Sequence, residues 1–134
     1  MDPLENLFLT LFSQIEWVPV LVSMIVTFLI GWVWYSPVLF VKPWMNGLPS
    51  PMKWHAPMWM PMTAQLGATL LSAIIVNALY TTGQTALLVL VTLTPIGFIK
   101  ANGMYSGKTK TTISIETLYI LVMVLVMVAT NVLL

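Results

Sequence analysis

Four long apolar stretches dominate the pattern along the chain, and each approaches the roughly twenty residues that a helix needs to cross a bilayer. They are residues 17–35, 61–80, 85–101 and 113–134. Because every backbone polar group in hydrocarbon needs a partner within the protein, we predict helices here rather than open strands. The third stretch is the weakest, since Pro95 and Gly97 interrupt it. The pattern predicts an all-α integral membrane bundle of four transmembrane helices, forming a single domain over residues 1–134.

A different periodicity precedes the first of these stretches. Within residues 1–16 the apolar positions recur every three or four residues, which is typical of an amphipathic helix. These positions are Leu4, Leu7, Phe8, Leu11, Phe12 and Ile15. We therefore predict an N-terminal amphipathic interfacial helix that lies on the outer membrane surface or docks against a partner. Its polar face carries Asp2 and Glu5, unlike the lysine-rich face of helices that bind anionic lipids.

Composition supports the membrane assignment. Of the 134 residues, 59% are hydrophobic and only 7% are charged, whereas soluble domains carry about 25% charged residues. A net charge of +1 provides no basic surface for nucleic acid, so we expect no nucleic-acid partner. The chain has no cysteine, which excludes thiolate metal sites and cysteine nucleophiles.

The lysines predict an orientation, since positively charged loops of membrane proteins stay in the cytoplasm. Two of the five basic residues fall between the first and second stretches, and the other three lie at the end of the third stretch or between it and the fourth. They are Lys42, Lys53, Lys100, Lys108 and Lys110. Both termini are therefore predicted to lie outside, with the lysine-bearing loops in the cytoplasm.

The segment "GWVWYSPVLFVKPW", residues 31–44, is unusually aromatic. Tryptophan and tyrosine concentrate at headgroup level, where a ring is buried while its N–H or O–H meets water. Pro37 disfavours helical geometry at Ser36 and so predicts the end of the first transmembrane helix. We interpret the segment as a membrane exit that contacts lipid or a partner. The predicted contact residues are Trp34, Tyr35, Phe40, Lys42 and Trp44.

This segment resembles the signature of a widespread, largely bacterial four-helix membrane family, known as domain of unknown function 1761. The signature has a glycine, an aromatic residue, W-Y-S-P and then L-F-x-K-x-W. The matching residues are Gly31, Trp34, Tyr35, Ser36, Pro37, Leu39, Phe40, Lys42 and Trp44. The later "TPIGFIKANGMYSGK" and "ISIETLYILVMV" resemble the family's third-helix exit and last helix, with Glu116 and Tyr119 at the positions that open that helix. The resemblance implies four spans in a bacterial inner membrane and attaches no activity.

Polar and small residues within the spans suggest how the helices meet. The amides are expected to hydrogen-bond between helices; they are Gln65, Asn77, Gln84, Asn102 and Asn131. Lys100 and Glu116 are expected to form an ion pair near the cytoplasmic ends. Small residues at intervals of about four allow two helix backbones to approach closely, either inside the bundle or against another protein. The predicted packing residues are Ala64, Gly67, Ala68, Ser72, Gly97 and Ala101.

The loop "MNGLPSPMKWHAPMWMPM" is rich in methionine and contains the only histidine. Thioether and imidazole groups suit Cu(I), so Met52, His55 and Met58 form a candidate metal site. Methionine also fills irregular gaps at membrane boundaries, and we favour this second interpretation. No metal or other cofactor is therefore predicted, and a metal or redox cofactor in this loop remains the weakest of three functional hypotheses.

The sequence contains no G-x-S-x-G, H-E-x-x-H or phosphate-binding glycine loop, so we do not expect an enzyme. We predict a small non-catalytic accessory or structural subunit that packs against other membrane proteins or copies of itself. The alternative is a small oligomeric transporter or channel. A polar cavity that reaches the midplane and is lined by Gln65, Asn77 or Asn131 would favour that alternative.

Overall fold

The computed structural model describes residues 2–49, 57 and 59–134, and within them the chain is helical with no strand. The helices are α1 (Pro3–Gln14), α2 (Trp17–Trp34), α3 (Val41–Asn46), α4 (Trp59–Thr81), α5 (Thr85–Tyr105) and α6 (Lys110–Leu133). Helices α2, α4, α5 and α6 are long and apolar enough to cross a membrane. The predicted all-α fold with four candidate spans is therefore confirmed.

Helix α2 ends where the proline signal predicted. Tyr35 caps the helix by donating its backbone N–H to the carbonyl of Gly31 at 3.2 Å. Ser36 continues with a tighter turn onto the carbonyl of Val33 at 3.1 Å. Pro37 follows, and its ring prevents Ser36 from continuing the helix. The chain then turns back and forms the short helix α3, which the sequence pattern did not predict.

Helices α5 and α6 are longer than predicted. Pro95 lies inside α5 without ending it, and membrane helices tolerate proline at such positions. Gly107 ends the helical path with a φ of 82°, and Lys108 donates its N–H to the carbonyl of Gly103 at 2.9 Å. This is the usual glycine-dependent helix end. Thr109 then starts α6 by accepting the N–H of Thr112 at 3.3 Å.

The bundle interior contains many small polar side chains. Five of them have exposed fractions of at most 1%: Ser23, Thr27, Thr69, Asn77 and Thr112. Close packing and hydrogen bonds hold helices together in hydrocarbon, where the hydrophobic effect between helices is absent. Helix α6 has the largest buried share of its span and α5 the smallest, 39% against 11%. Helix α6 is therefore the centre of the bundle and α5 its most peripheral span.

Two glycines outside the predicted packing set lie directly against side chains of α6. A Cβ added at Gly31 would lie 2.5 Å from the hydroxyl oxygen of Tyr119, and one at Gly103 would lie 2.6 Å from Cγ1 of Ile113. Around Gly67 and Gly97, by contrast, no atom of the described residues lies within 4 Å of the added Cβ. Gly31 of α2 and Gly103 of α5 therefore leave room for side chains of α6, and Gly47 at the end of α3 lies against Thr112 of the same helix.

A helix is present at the predicted N-terminal position. Asp2 caps α1 by accepting the N–H of Leu4 at 3.2 Å, and every residue of α1 is exposed. Contact of this helix with a membrane surface or a partner stays a prediction. The C-terminal ends of α2 and α5 and the N-terminal ends of α4 and α6 lie at one end of the bundle. We call it the lysine end, because Lys42, Lys108 and Lys110 lie beside it.

Candidate functional site: a polar-mouthed cleft

Five aromatic rings pack together at the lysine end. We call them the aromatic cluster: Trp34, Tyr35, Phe40, Trp44 and Tyr119. The ring centroids of Trp34 and Phe40 lie 4.7 Å apart, and those of Tyr35 and Trp44 lie 5.4 Å apart. Tyr119 of α6 is in the middle, with its centroid 5.9 Å from that of Tyr35 and 6.1 Å from that of Trp34. Tilted and edge-on contacts of this kind stabilise aromatic clusters beyond the area that they bury.

Backbone hydrogen bonds fold the exit segment back onto α6. Phe40 donates its N–H to the carbonyl of Trp34 at 3.1 Å, closing the turn. Trp34 itself donates its indole N–H to the carbonyl of Ile115 at 3.1 Å. Helix α3 is attached to the first turn of α6 because the hydroxyl of Thr112 donates to the carbonyl of Trp44 at 2.8 Å.

The structure therefore gives the predicted contact residues mainly internal neighbours. Trp34, Tyr35, Phe40 and Trp44 are half-buried and contact one another or α6, whereas Lys42 is exposed. An aromatic residue outside the predicted set, Trp32, is 71% exposed and faces outward. Contact of the half-buried rings with lipid or a partner stays a prediction, limited to their outer edges.

A hydrogen-bonded bridge joins three spans beside the cluster. The hydroxyl of Tyr119 donates to the carbonyl of Thr27 on α2 at 3.3 Å and accepts from the amide nitrogen of Gln65 on α4 at 3.4 Å. Gln65 thus makes an interhelical hydrogen bond, as its position within a span predicts.

Glu116 has a different partner from the one predicted. Its two carboxylate oxygens accept from Nζ of Lys108 at 3.0 and 3.2 Å. Lys100 is exposed and lies within α5, more than a turn before the helix ends. Because α5 ends at a glycine turn, the chain reverses and brings Lys108 next to α6. The predicted pair of Lys100 and Glu116 is therefore replaced by the pair of Lys108 and Glu116.

Tyr35 lies one residue beyond α2, close to this ion pair. Burial, and secondarily the negative charge of Glu116, raise the pKa of its phenol. Tyr35 therefore remains a neutral hydroxyl at neutral pH, able to donate a hydrogen bond.

A cleft of about 460 Å³ starts at these polar groups and continues between α4, α5 and α6. We call its part at the lysine end the mouth; the mouth is lined by Tyr35, Gln65, Glu116 and Tyr119, together with Ile99 of α5. The inner part is lined by Thr69, Ser72 and Thr92 and then by apolar side chains. Those apolar side chains include Ile75, Val76, Leu88, Val91, Met123 and Val124. The cleft is thus polar at one end and apolar at the other.

The predicted packing residues separate into two groups. Ala68 and Ser72 line the cleft. The others are all exposed: Ala64, Gly67, Gly97 and Ala101. Gly97 and Ala101 each follow a cleft-lining residue of α5 by two positions, which at 3.6 residues per turn places them on the opposite face.

Asn77 and Asn131 form a pair at the other end of the bundle, outside the cleft, whereas Gln84 and Asn102 are exposed. Asn77 donates to the side-chain oxygen of Asn131 at 2.7 Å and accepts the backbone N–H of Glu16 at 3.1 Å. Asn131 also donates to the carbonyl of Met127 at 2.8 Å. Both amides are buried and join α4, α6 and the start of α2. The candidate metal ligands Met52, His55 and Met58 lie outside the described residues.

The model of a family described as "Protein of unknown function (DUF1761)" matches residues 18–132. The chain belongs to this family. The resemblance noted for residues 31–45 is therefore confirmed, and the match includes the aromatic cluster, the cleft and the amide pair. Comparisons with curated proteins and with solved structures give no match. Because this family carries no assigned activity, a function for the chain has to be argued from its own geometry.

Several residues of the site lay outside the sequence-based predictions. Thr27, Thr69 and Thr92 look like ordinary span residues, and Lys108 looks like one of several loop lysines. A usable signal for Lys108 was present in Gly107, since a glycine after an apolar helix predicts a reversal that returns the next residue to the helix end.

Proposed function

We propose that this protein is a non-catalytic membrane protein that associates laterally, through the outer face of α5, with another membrane protein or with copies of itself. The observation that supports this is the exposure of Gly97 and Ala101, spaced by four residues on the face of α5 opposite the cleft. Such a pair lets a second helix approach closely.

The surroundings of the pair strengthen this proposal. The buried residues of α5 are Thr92 and Gly103, so one side of the helix supplies most of its packing. Large apolar side chains flank the pair, including Leu90 at 58% and Leu93 at 55% exposure. Gly97 and Ala101 thus form a shallow notch between larger residues, and a helix of a partner can pack into such a notch.

A paired substitution tests the proposal. Gly97→Leu together with Ala101→Leu fills the notch, whereas Ala129→Leu enlarges an exposed alanine on α6 and serves as the matched control. Crosslinking and native mass spectrometry in lipid nanodiscs should show assembly of the wild type and of the control. The notch variant should assemble about tenfold more weakly, a loss of about 1.4 kcal/mol. A wild type that is monomeric and captures no stoichiometric membrane partner would contradict the proposal.

We also propose the orientation in the membrane: a bacterial inner membrane, with both termini outside and the lysine end in the cytoplasm. The lysine distribution supports it. The chain has no cysteine, so Asp2→Cys and Lys110→Cys each introduce one unique thiol. A membrane-impermeant maleimide applied to intact cells should label the first and spare the second until the membrane is opened. The reverse pattern would refute this orientation.

Helix α1 is proposed to lie on the outer surface, against lipid or against the same partner. Its apolar positions are exposed in the isolated chain, with Leu7 at 64% and Phe8 at 53%. Deleting residues 1–14, which removes α1 and leaves the buried Ile15 in place, should weaken assembly in the nanodisc experiment if α1 docks on a partner. Unchanged assembly would assign α1 to the lipid surface alone.

The transporter alternative has one supporting feature, the presence of Gln65 in the cleft lining. Asn77 and Asn131 are instead bonded to each other outside the cleft, and the inner end of the cleft is apolar. This arrangement gives less support to a path for a polar solute than to lateral association.

A further inference from the structure

We propose that the cleft between α4, α5 and α6 binds one acyl chain of a bilayer lipid whose headgroup carries a primary amine. The lipid would come from the leaflet at the lysine end, with its ammonium group at Glu116. This inference is independent of the α5 association face, which lies on the other side of that helix.

The dimensions of the cleft fit one acyl chain. Its lining on α4 extends over the twelve residues from Gln65 to Val76, and the two ends lie about 16 Å apart along the helix axis. The hydrocarbon core of a bilayer is about 30 Å thick, so the cleft has about the depth of one leaflet. Its volume of about 460 Å³ lies within the range of roughly 300–1,000 Å³ typical of sites for small ligands.

The inner cleft suits a hydrocarbon chain better than a polar solute. Two of its three hydroxyls, those of Thr69 and Thr92, are bonded within their own helices. Thr69 donates to the carbonyl of Gln65 at 2.6 Å, and Thr92 donates to that of Leu88 at 2.8 Å. The deeper lining is apolar and includes Val76, Leu88 and Met123. A polar solute there would lose its hydration without comparable hydrogen bonds in return.

The mouth indicates the headgroup. Glu116 lines the cleft, whereas Lys108 holds it from outside the lining. An ionised carboxylate offers about four acceptor positions, and the lysine bonds occupy two of them, so an ammonium group can still be bound. A phosphate or carboxylate at the same point would meet the oxygens of Glu116, which accept hydrogen bonds but have none to donate. Tyr35 and Gln65 supply further polar groups for the ester region next to the head.

Native mass spectrometry of the full chain from mixed micelles tests this proposal. The probes are phosphatidylethanolamine, phosphatidylcholine and phosphatidylglycerol with identical acyl chains. Phosphatidylcholine is the informative control, since its trimethylated nitrogen is positive but has no N–H to donate. We expect phosphatidylethanolamine to be retained about tenfold better than either, the scale of one charged hydrogen bond.

Two pairs of variants locate the site. Ala68→Phe obstructs the cleft and should abolish lipid retention. Ala101→Phe introduces the same side chain on the face of α5 that points away from the cleft, and it should leave lipid retention unchanged. Glu116→Gln should remove the preference for the amine headgroup, while Lys108→Gln, which breaks the same ion pair but keeps the carboxylate, should preserve it. Circular dichroism and thermal melts check that each variant is folded. Ala68→Leu, a smaller obstruction, should give an intermediate loss.

Equal retention of phosphatidylethanolamine and phosphatidylcholine by the wild type would overturn the proposal, because Glu116 would then not select the headgroup. Equal retention by folded Ala68→Phe would overturn it too, because the lipid would be bound at the outer surface. The outcome is separable from the association proposal, since Ala101→Phe should impair assembly without affecting lipid retention and Ala68→Phe should do the reverse.

Discussion

The buried amide pair allows a quantitative test of what holds this bundle together. Replacing Asn77 by valine removes its bonds to Asn131 and to the N–H of Glu16. Interhelical hydrogen bonds in membrane proteins average about 0.6 kcal/mol each, and a buried group left without a partner costs about 1–3 kcal/mol. Because both partner groups lose their bond in a partly buried setting, we expect Asn77→Val to lower the free energy of unfolding by about 1–3 kcal/mol.

The assay is reversible unfolding in mixed micelles, followed by circular dichroism, for the single variants and the double variant with Asn131→Val. The coupling energy between the two positions should be about 0.6–1.7 kcal/mol. Asn102→Val changes an exposed amide on α5 and is the matched control, expected within about 0.5 kcal/mol of wild type. Independent effects of the two asparagines, additive to within about 0.3 kcal/mol, would refute the argument that the pair acts as an interhelical link.

Three further stability measurements, in the same micelle assay, address the glycines and the ion pair. Gly31→Ala should destabilise the bundle by about 1–3 kcal/mol through overpacking. Adding Tyr119→Phe should relieve part of that loss, since the hydroxyl oxygen of Tyr119 is the nearest atom to the new Cβ. Equal losses with and without the hydroxyl would contradict this. Gly103→Ala should lower the free energy of unfolding by a similar amount. Gly97→Ala should be neutral or stabilising by up to about 1 kcal/mol, because alanine has the higher helix propensity. Destabilisation by Gly97→Ala would contradict the exposed placement of Gly97. Lys108→Gln should cost at most about 1 kcal/mol because the ion pair is partly exposed, with side-chain exposures of 26% and 17%; a much larger loss would indicate a structural role that this geometry does not support.

The four spans could be predicted from the sequence because the thickness of hydrocarbon fixes both the length and the apolarity of a membrane helix. Their ends were predicted less well. The extension of α5 to Tyr105 and the start of α6 at Lys110 depend on the positive φ of Gly107 and on the cap from Thr109. These are single-residue signals that a hydropathy window averages out.

Helix α3 was missed for a different reason. At six residues it is far shorter than the roughly 12–15 residues at which an isolated helix becomes even marginally stable in water. Its hydrogen bond from Thr112 to the carbonyl of Trp44 and the bond from the N–H of Thr109 to the carbonyl of Gly47 attach it to α6. The stability of α3 thus comes from residues more than sixty positions away, which no local pattern can report.

The polar residues at the mouth of the cleft were singled out individually in the sequence, but their juxtaposition was not. Tyr35 was assigned to the membrane exit, Gln65 to interhelical bonding and Glu116 to an ion pair. The cleft exists because the α2 exit, α4 and α6 converge at one end while α5 stays on the periphery. That convergence follows from the order in which four antiparallel spans pack, and hydropathy leaves this order undetermined.

The small residues show most directly what the sequence leaves open. A spacing of four predicts that two helices can approach closely, and it applies equally to the inside and the outside of a bundle. Inside this bundle the close approaches are made by isolated glycines, because Gly31 faces the ring of Tyr119 and Gly103 faces Ile113. What makes a glycine necessary there is the large side chain on α6, a residue of another helix. Gly31 and Tyr35 of the exit segment and Tyr119 of the last helix therefore act together: the glycine makes room for the phenol of Tyr119, which packs against Tyr35 and forms the mouth of the cleft.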